Sequence, residues 1–215
     1  MTREELIKKV ALKMDEVSSS DDVIVSVGID DNNPLYTQID SLLNESVNEV
    51  LIKAPIYRIA SLVKTMISPN VFPIHPTNRQ RVEFDVPDKF LRLVSIFEDT
   101  FQRPIVELAI EGDEIAKRQH NKHLMAKSAK PVAVLGRDNM GKRIITCYSF
   151  GPNDDPQTVM SYLERFEGID KNASVELDDY LINIVTWACA GKVFAAQGDT
   201  VKAQTCDTNA AALMV

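Results

Sequence analysis

Tryptophan, histidine and cysteine are scarce in this chain of 215 residues, at one, three and three copies. A metal centre needs three or four convergent ligands, and so few soft and imidazole side chains leave little to build one from. Cys147, Cys189 and Cys206 are odd in number and show no CxxC spacing. They argue against a disulfide framework and for buried free thiols in a reducing compartment. An excess of positive charge is missing too. Lys and Arg total 24 against 31 Asp and Glu, a net charge of -7, so the chain lacks the basic footprint of a protein that grips nucleic acid. The longest apolar stretch, Tyr180–Ala196, contains Asn183 and Lys192 and falls short of the roughly 20 residues of a membrane span. The opening MTREELIKKV has no apolar signal core. Internal repeats and low-complexity tracts are absent as well.

What the chain does have is concentrated between Leu177 and Val215. A helix expected over Tyr180–Ala196 is apolar almost all round, so it must be buried on most sides. Tyr180, Leu181, Ile184, Trp187, Val193 and Phe194 are its expected packing residues. Gln197-Gly198-Asp199-Thr200 supplies a glycine stop and a polar start for a second helix. That helix begins polar (Lys202, Gln204, Asp207) and ends in Ala210, Ala211, Ala212, Leu213, Met214 and Val215. Six small and apolar residues in succession suit a docking segment covered by a partner.

From the start of the chain, Thr2 and Glu5 form a capping box. A one-sided helix is expected from there to about Val17, carried by Leu6, Ile7, Val10, Leu12 and Met14. Val23–Val27 is a short apolar run, a strand or a packed loop. Pro34 opens a second helix running to about Lys53, with Leu35, Ile39, Leu42, Leu43, Val47, Val50 and Leu51 at helical spacing. Pro55 breaks it, and Ile56–Ile67 reads as a third amphipathic helix.

The period then changes from helical to alternating. Pro69, Pro73 and Pro76 predict an extended connection. Strands are expected at Arg79–Val86, Phe90–Phe97, Arg103–Leu108, Lys130–Leu135, Arg143–Phe150 and Thr158–Phe166. A short helix is expected within Gly112–Met125. The fold class is therefore α+β, an α-helical bundle made by the N- and C-terminal helices with an inserted small antiparallel β domain. The bundle takes residues 1–68 with 167–215, and the β-rich insertion takes 69–166.

Signals for chemistry are sparse. Gly136-Arg137-Asp138-Asn139-Met140-Gly141-Lys142 has the glycine and lysine spacing of a phosphate loop. Arg143 stands where a magnesium-binding Ser or Thr belongs, and strand-like residues follow where a helix should. A hairpin loop fits better, and a nucleotide-using enzyme built on this loop is the alternative function. His120 and His123 would share a face if helical, but Asp113 and Glu114 are the only acids near them. Asp178 and Asp179 suit a helix start, and Asp154 and Asp155 end the β part. Asn44-Glu45-Ser46 and Asn172-Ala173-Ser174 are formal glycosylation sequons. Arg79, Arg81, Arg137, Lys142 and Arg143 are the basic concentration of the β part, a solvated strand edge or a face for an acidic partner or a phosphate backbone. Catalytic, cofactor-binding and metal residues are not assigned.

Three segments in order resemble the head-to-tail connector (adaptor) proteins of tailed bacteriophages. The resemblance is to the tail tubular protein A type of short-tailed phages and to the ring proteins of crAss-like phages. Asp40–Pro55 is similar to the early connector helix. VPDKFLRLVSIFEDTFQRPI, Val86–Ile105, is similar to the strand and arginine–proline turn that open the family's β insertion, with Phe101 where tryptophan is common. Asp178–Met214, with Ala190-Gly191, Gln197-Gly198-Asp199, Ala203 and Ala210, is similar to the closing helices. The resemblance implies a structural virion protein without enzymatic activity or cofactor. It implies a homo-oligomeric ring, typically a dodecamer, between the portal protein and the next tail or ring protein. Double-stranded DNA would pass through the lumen without specific binding, and no membrane is involved. The location implied is the virion neck, after synthesis in the host cytoplasm. Ala210–Val215 would then be the portal-docking segment. An unrelated helical interaction module is the remaining alternative.

Overall fold

The computed structural model describes residues 1–18, 34–67, 70–74, 79–121, 123–150, 157–168 and 177–214. It is a mixed α+β protein with two sheets. The chain divides into two compact units, Met1–Leu62 with Arg165–Val215, and Val63–Glu164.

Among the described residues the first unit holds four α-helices, α1 (Arg3–Ser18), α2 (Pro34–Lys53), α4 (Asp179–Ala196) and α5 (Thr200–Leu213). Helix α1 starts where the capping box requires. The Glu5 amide donates to the Thr2 hydroxyl at 3.2 Å, and the Thr2 amide donates to the Glu5 carboxylate at 2.8 Å. Leu6, Ile7, Val10 and Met14 face inward, whereas Leu12 is exposed. Ile39, Leu43, Val47, Val50 and Leu51 form the buried stripe of α2. Helix α4 packs against α1, α2 and α5, which is why its sequence is apolar on every side. Each fully buried Leu or Ile in this unit contributes on the order of 1.5–3 kcal/mol through removal of apolar surface from water.

Polar contacts also join distant parts of this unit. Arg3 is almost fully buried in α1, and its guanidinium donates to the Asp40 carboxylate (2.7 Å), the Asn44 side chain (2.6 Å) and the Asp40 carbonyl (2.9 Å) of α2. Asn48 holds the backbone at Phe166, just past the end of the last strand, accepting from its amide at 2.7 Å and donating to its carbonyl at 3.1 Å.

The third helix expected over Ile56–Ile67 does not form. Pro55 is extended, two single turns of 3-10 helix follow at Ile56–Arg58 and Ala60–Leu62, and Lys64–Ile67 is strand β1. The β-branched Val63, Thr65 and Ile67 suit a strand, and cross-strand pairing outweighs a weak helical spacing.

The second unit continues with β2 (Asn70–Ile74), β3 (Arg79–Asp85), β4 (Phe90–Phe97), β5 (Leu108–Ile110), α3 (Glu114–Arg118), β6 (Val132–Arg137), β7 (Arg143–Phe150) and β8 (Val159–Glu164). One sheet has the order β1-β8-β4 and the other β2-β3-β7-β6-β5. The connection expected at Pro73 is instead β2, an edge strand paired with β3. An edge tolerates proline because no partner strand needs its missing N–H. Arg103–Leu108 contributes only a bridge between Ile105 and Ile96, and the strand itself comes later, at Leu108–Ile110. The sheet is not wholly antiparallel, because β5 runs parallel to β6. The long excursion through α3 supplies the crossover that a parallel pair requires.

Val82, Phe84, Ile145 and Cys147 from one sheet meet Phe90, Ile96, Met160 and Tyr162 from the other in a common core. Phe90 stacks on Tyr162 with ring centroids 5.9 Å apart. Ser149 has φ 144, in the region that side chains rarely adopt. It lies where the β3–β7 register shifts between Gln80 and Arg81, so the extra residue of a bulge takes the unusual backbone.

Candidate functional site

Helices α4 and α5 carry the residues singled out from the sequence. Asp178 caps α4, accepting the Leu181 amide at 2.7 Å. Leu181, Ile184, Val193 and Phe194 are buried. Tyr180 and Trp187 are half-buried, each under a cation: the Arg58 guanidinium lies 4.2 Å from the Tyr180 ring centre and Lys13 Nζ lies 4.9 Å from that of Trp187. These two rings therefore sit at the margin of the helical core and not in its centre, with their faces used for cation–π contact.

Gly198 has φ +86 and lets the chain turn between the helices. Asp199 restarts it, accepting the Lys202 amide at 3.1 Å. A Cβ at Gly191 would stand 2.7 Å from the Asp207 carboxylate, 3.3 Å from Cys206 Cβ and 3.4 Å from the Ala203 carbonyl. Only a residue without a side chain allows α5 to lie this close to α4.

Helix α5 buries a narrow stripe, Ala203, Cys206 and Ala210. Val201, Ala211 and Ala212 are exposed, Leu213 and Met214 are half-buried, and Val215 lies outside the described residues. The expected docking segment is therefore the last turns of a helix. It spends Ala210 on its own unit and offers the two alanines beside it.

The Gly136–Lys142 segment is a hairpin. Gly136 and Arg137 end β6, Arg143 begins β7, and Gly141 takes φ +82. Asp138 accepts the amides of Met140 and Lys142, both at 2.8 Å. Amides that could cradle a phosphate are thus occupied by the loop's own carboxylate, and a strand follows where a phosphate loop needs a helix. Lys142 pairs with Asp85 at 2.9 Å, and that hydrogen bond raises its pKa. Of the other basic residues, Arg81 pairs with Glu83 at 2.9 Å, Arg137 donates to the Gly141 carbonyl and Arg143 is exposed. The Arg79 side chain is outside the described residues.

Helix α3 ends at Arg118, so His120 and His123 lie on the turns after it and do not share a helical face. Among the described residues no group of three or more His, Cys, Asp or Glu could hold a metal ion, and no helix is long and apolar enough to cross a membrane. Cys147, Cys189 and Cys206 are free and buried. Burial pushes the Cys147 thiol far above its usual range and the other two up to about 11. Asn44 is engaged by Arg3, while Val23–Val27, Asp154, Asp155 and Asn172 lie outside the described residues.

Sequence reasoning missed Arg3 and Asn48, two of the side chains that tie distant parts of the helical unit together. Neither stands out in the sequence, since a charged residue in a first turn and an amide in mid-helix are usually solvated. It also missed Lys192, which bridges α4 to Glu45 and Glu49 of α2. A lone lysine inside an apolar run was the available signal.

No family model matches the chain, and no curated protein matches it.

Proposed function

We propose that the chain is a head–tail connector subunit of a tailed bacteriophage, an adaptor that joins the portal protein to the next tail or ring protein. In this reading the helices from both ends of the chain are the connector bundle and the β-rich unit is its insertion. The subunits form a homo-oligomeric ring, typically a dodecamer, whose lumen lets double-stranded DNA pass. Its work is mechanical, and it needs neither catalysis nor a cofactor.

The observation that carries the proposal is the contrast within the C-terminal helix pair. Helix α4 is enclosed by α1, α2 and α5, while α5 commits only one narrow stripe. A helix bound on one stripe leaves its remaining surface for a second partner, the way an amphipathic segment docks in a groove. The three segments that resemble the connector family fall on α2, on β4 with the turn after it, and on α4 with α5. The acidic balance of the chain, -7, suits a conduit that does not hold DNA.

Native mass spectrometry of the chain mixed with the portal ring of the same virus tests this. A symmetric set of copies on the portal is the expected result, and the absence of any complex overturns the reading. The double variant Ala211→Glu with Ala212→Glu refines it. Both positions are exposed, so stability should stay within about 0.5 kcal/mol per site, while portal uptake falls.

A further inference from the structure

The β-rich unit carries a polar cavity of about 450 Å3 on the face of the five-stranded sheet that bears Tyr148. Arg81 and Glu83 of β3 stand opposite Tyr148 and Thr146 of β7 in register, and all four line it. Lys117 enters from α3 and His120 from the turn beyond it.

Most of the charge around the cavity is already committed. Arg81 pairs with Glu83 at 2.9 Å. Glu111 accepts the Arg137 amide at 3.2 Å, and the Arg137 guanidinium donates to the Gly141 carbonyl at 2.9 Å. The Asp138 carboxylate is held by two loop amides. Among the described residues the side chains of Lys117 and His120 have no hydrogen-bond or ion-pair partner.

Two hydroxyls on largely buried side chains are also uncommitted. Tyr148 is 9% exposed and Thr146 is 7% exposed, and neither hydroxyl has a hydrogen-bond partner among the described residues. Neither oxygen is among the side-chain atoms that are both buried and unpaired, so both hydroxyls keep access to the open space of the cavity and can donate to a ligand there. Burial raises the Tyr148 pKa, so at neutral pH the phenol keeps its proton and can donate.

We propose that this cavity binds a carboxylate-bearing ligand, held by the Lys117 ammonium and by the Tyr148 and Thr146 hydroxyls. The donors face one cavity, and the missing complement is an acceptor with a single negative charge. A dianionic phosphate fits less well, because Glu83 and Glu111 stand in the same wall. The carboxylate can come from a small free acid or from an acidic side chain of a partner's peptide. The site does not depend on the connector reading.

Amide-detected NMR titration of the full chain tests the site with butyrate, its uncharged analogue butyramide, inorganic phosphate and a capped peptide carrying one Glu. Butyrate should give saturable shifts confined to the surroundings of Lys117, Thr146 and Tyr148, and butyramide should give none. Lys117→Gln should weaken butyrate about tenfold, and Tyr148→Phe, which removes only an unpaired hydroxyl and keeps the fold, about fivefold. A peptide that binds at least tenfold tighter than butyrate identifies an acidic side chain as the ligand, and equal affinity identifies a free acid. Scattered shifts that do not saturate, equal binding of butyramide, tighter binding of phosphate, or a Lys117→Gln variant with unchanged affinity would each overturn the proposal.

Discussion

Helices α4 and α5 are neighbours in sequence, joined by one tight turn, and they solve opposite problems. The first buries Leu181, Ile184, Val185, Cys189, Ala190 and Val193 around its circumference. The second buries Ala203, Cys206 and Ala210 along a single line. Composition separates them: branched aliphatic residues fill space on all sides of α4, whereas alanine and cysteine let α5 approach closely without filling anything beyond the contact. A helix of the first kind holds a unit together. A helix of the second kind is an attachment whose open face is free to meet something else.

The contrast can be broken most forcefully at Ile184, which is fully buried. Ile184→Ala should cost about 2–5 kcal/mol through lost burial and the cavity left behind. Val201→Ala, at a position 75% exposed on α5, should stay within about 0.5 kcal/mol. Denaturant unfolding of the two variants measures this directly, and similar losses at both sites would erase the distinction between the helices.

A smaller effect is expected where the helices touch. Gly191→Ala places a methyl group against Asp207, Cys206 and the Ala203 carbonyl. The carboxylate can swing away, but the carbonyl belongs to the α5 backbone. The expected cost is about 1–3 kcal/mol from overpacking. Hydrogen exchange should show it as faster exchange in α5 with α4 still protected, and uniform loosening of both helices would contradict a contact-specific effect.

The smallest effect concerns charge at the α2 side of α4. Hydrogen bonds from Lys53 and then Lys192 lower the Glu49 pKa. A carboxylate lowered on folding stabilises fully above its unfolded-state pKa, and that contribution is lost as the pH falls through the lower folded-state value. Glu49→Gln should therefore lower the melting temperature slightly near neutrality, change little once the pH is below the folded-state value, and so flatten part of the acid-side decline. An acid-side slope identical to that of the unaltered protein would remove Glu49 from the account.

Helix starts were the most legible features of this chain, because each is set by side chains within one turn. Thr2 with Glu5, Pro34, Asp178 and Asp199 all stand where their helices begin. The hairpin at Gly136–Lys142 was legible for the same reason, since Asp138 and Gly141 act on backbone a few residues away. Ile56–Ile67 was misread because its strand exists only through pairing with β8, a segment far along the chain. The parallel placement of β5 and the shared core of the two sheets are likewise products of pairing across long separations.

The C-terminal segment was legible in composition, and the structure gives it a form that composition did not. Ala210–Val215 is small and apolar in sequence, but helical rotation turns Ala210 inward and Ala211 and Ala212 outward. The cavity beside Tyr148 was not legible at all. Lys117, Thr146 and Tyr148 form no motif, and the strand register together with the excursion through α3 brings them to one cavity.

The sequence by itself determined where α1, α2, α4 and α5 start, which helix had to be enclosed, and that the three cysteines would be free thiols, because these follow from local capping, from periodicity and from residue type. Tertiary structure alone decided which face of α5 stays open, that Arg3 would be buried between α1 and α2, and that two uncommitted hydroxyls would line a cavity with Lys117. Those outcomes depend on packing and pairing between residues distant in the chain, where the free energy of contact is set by neighbours that no local window contains.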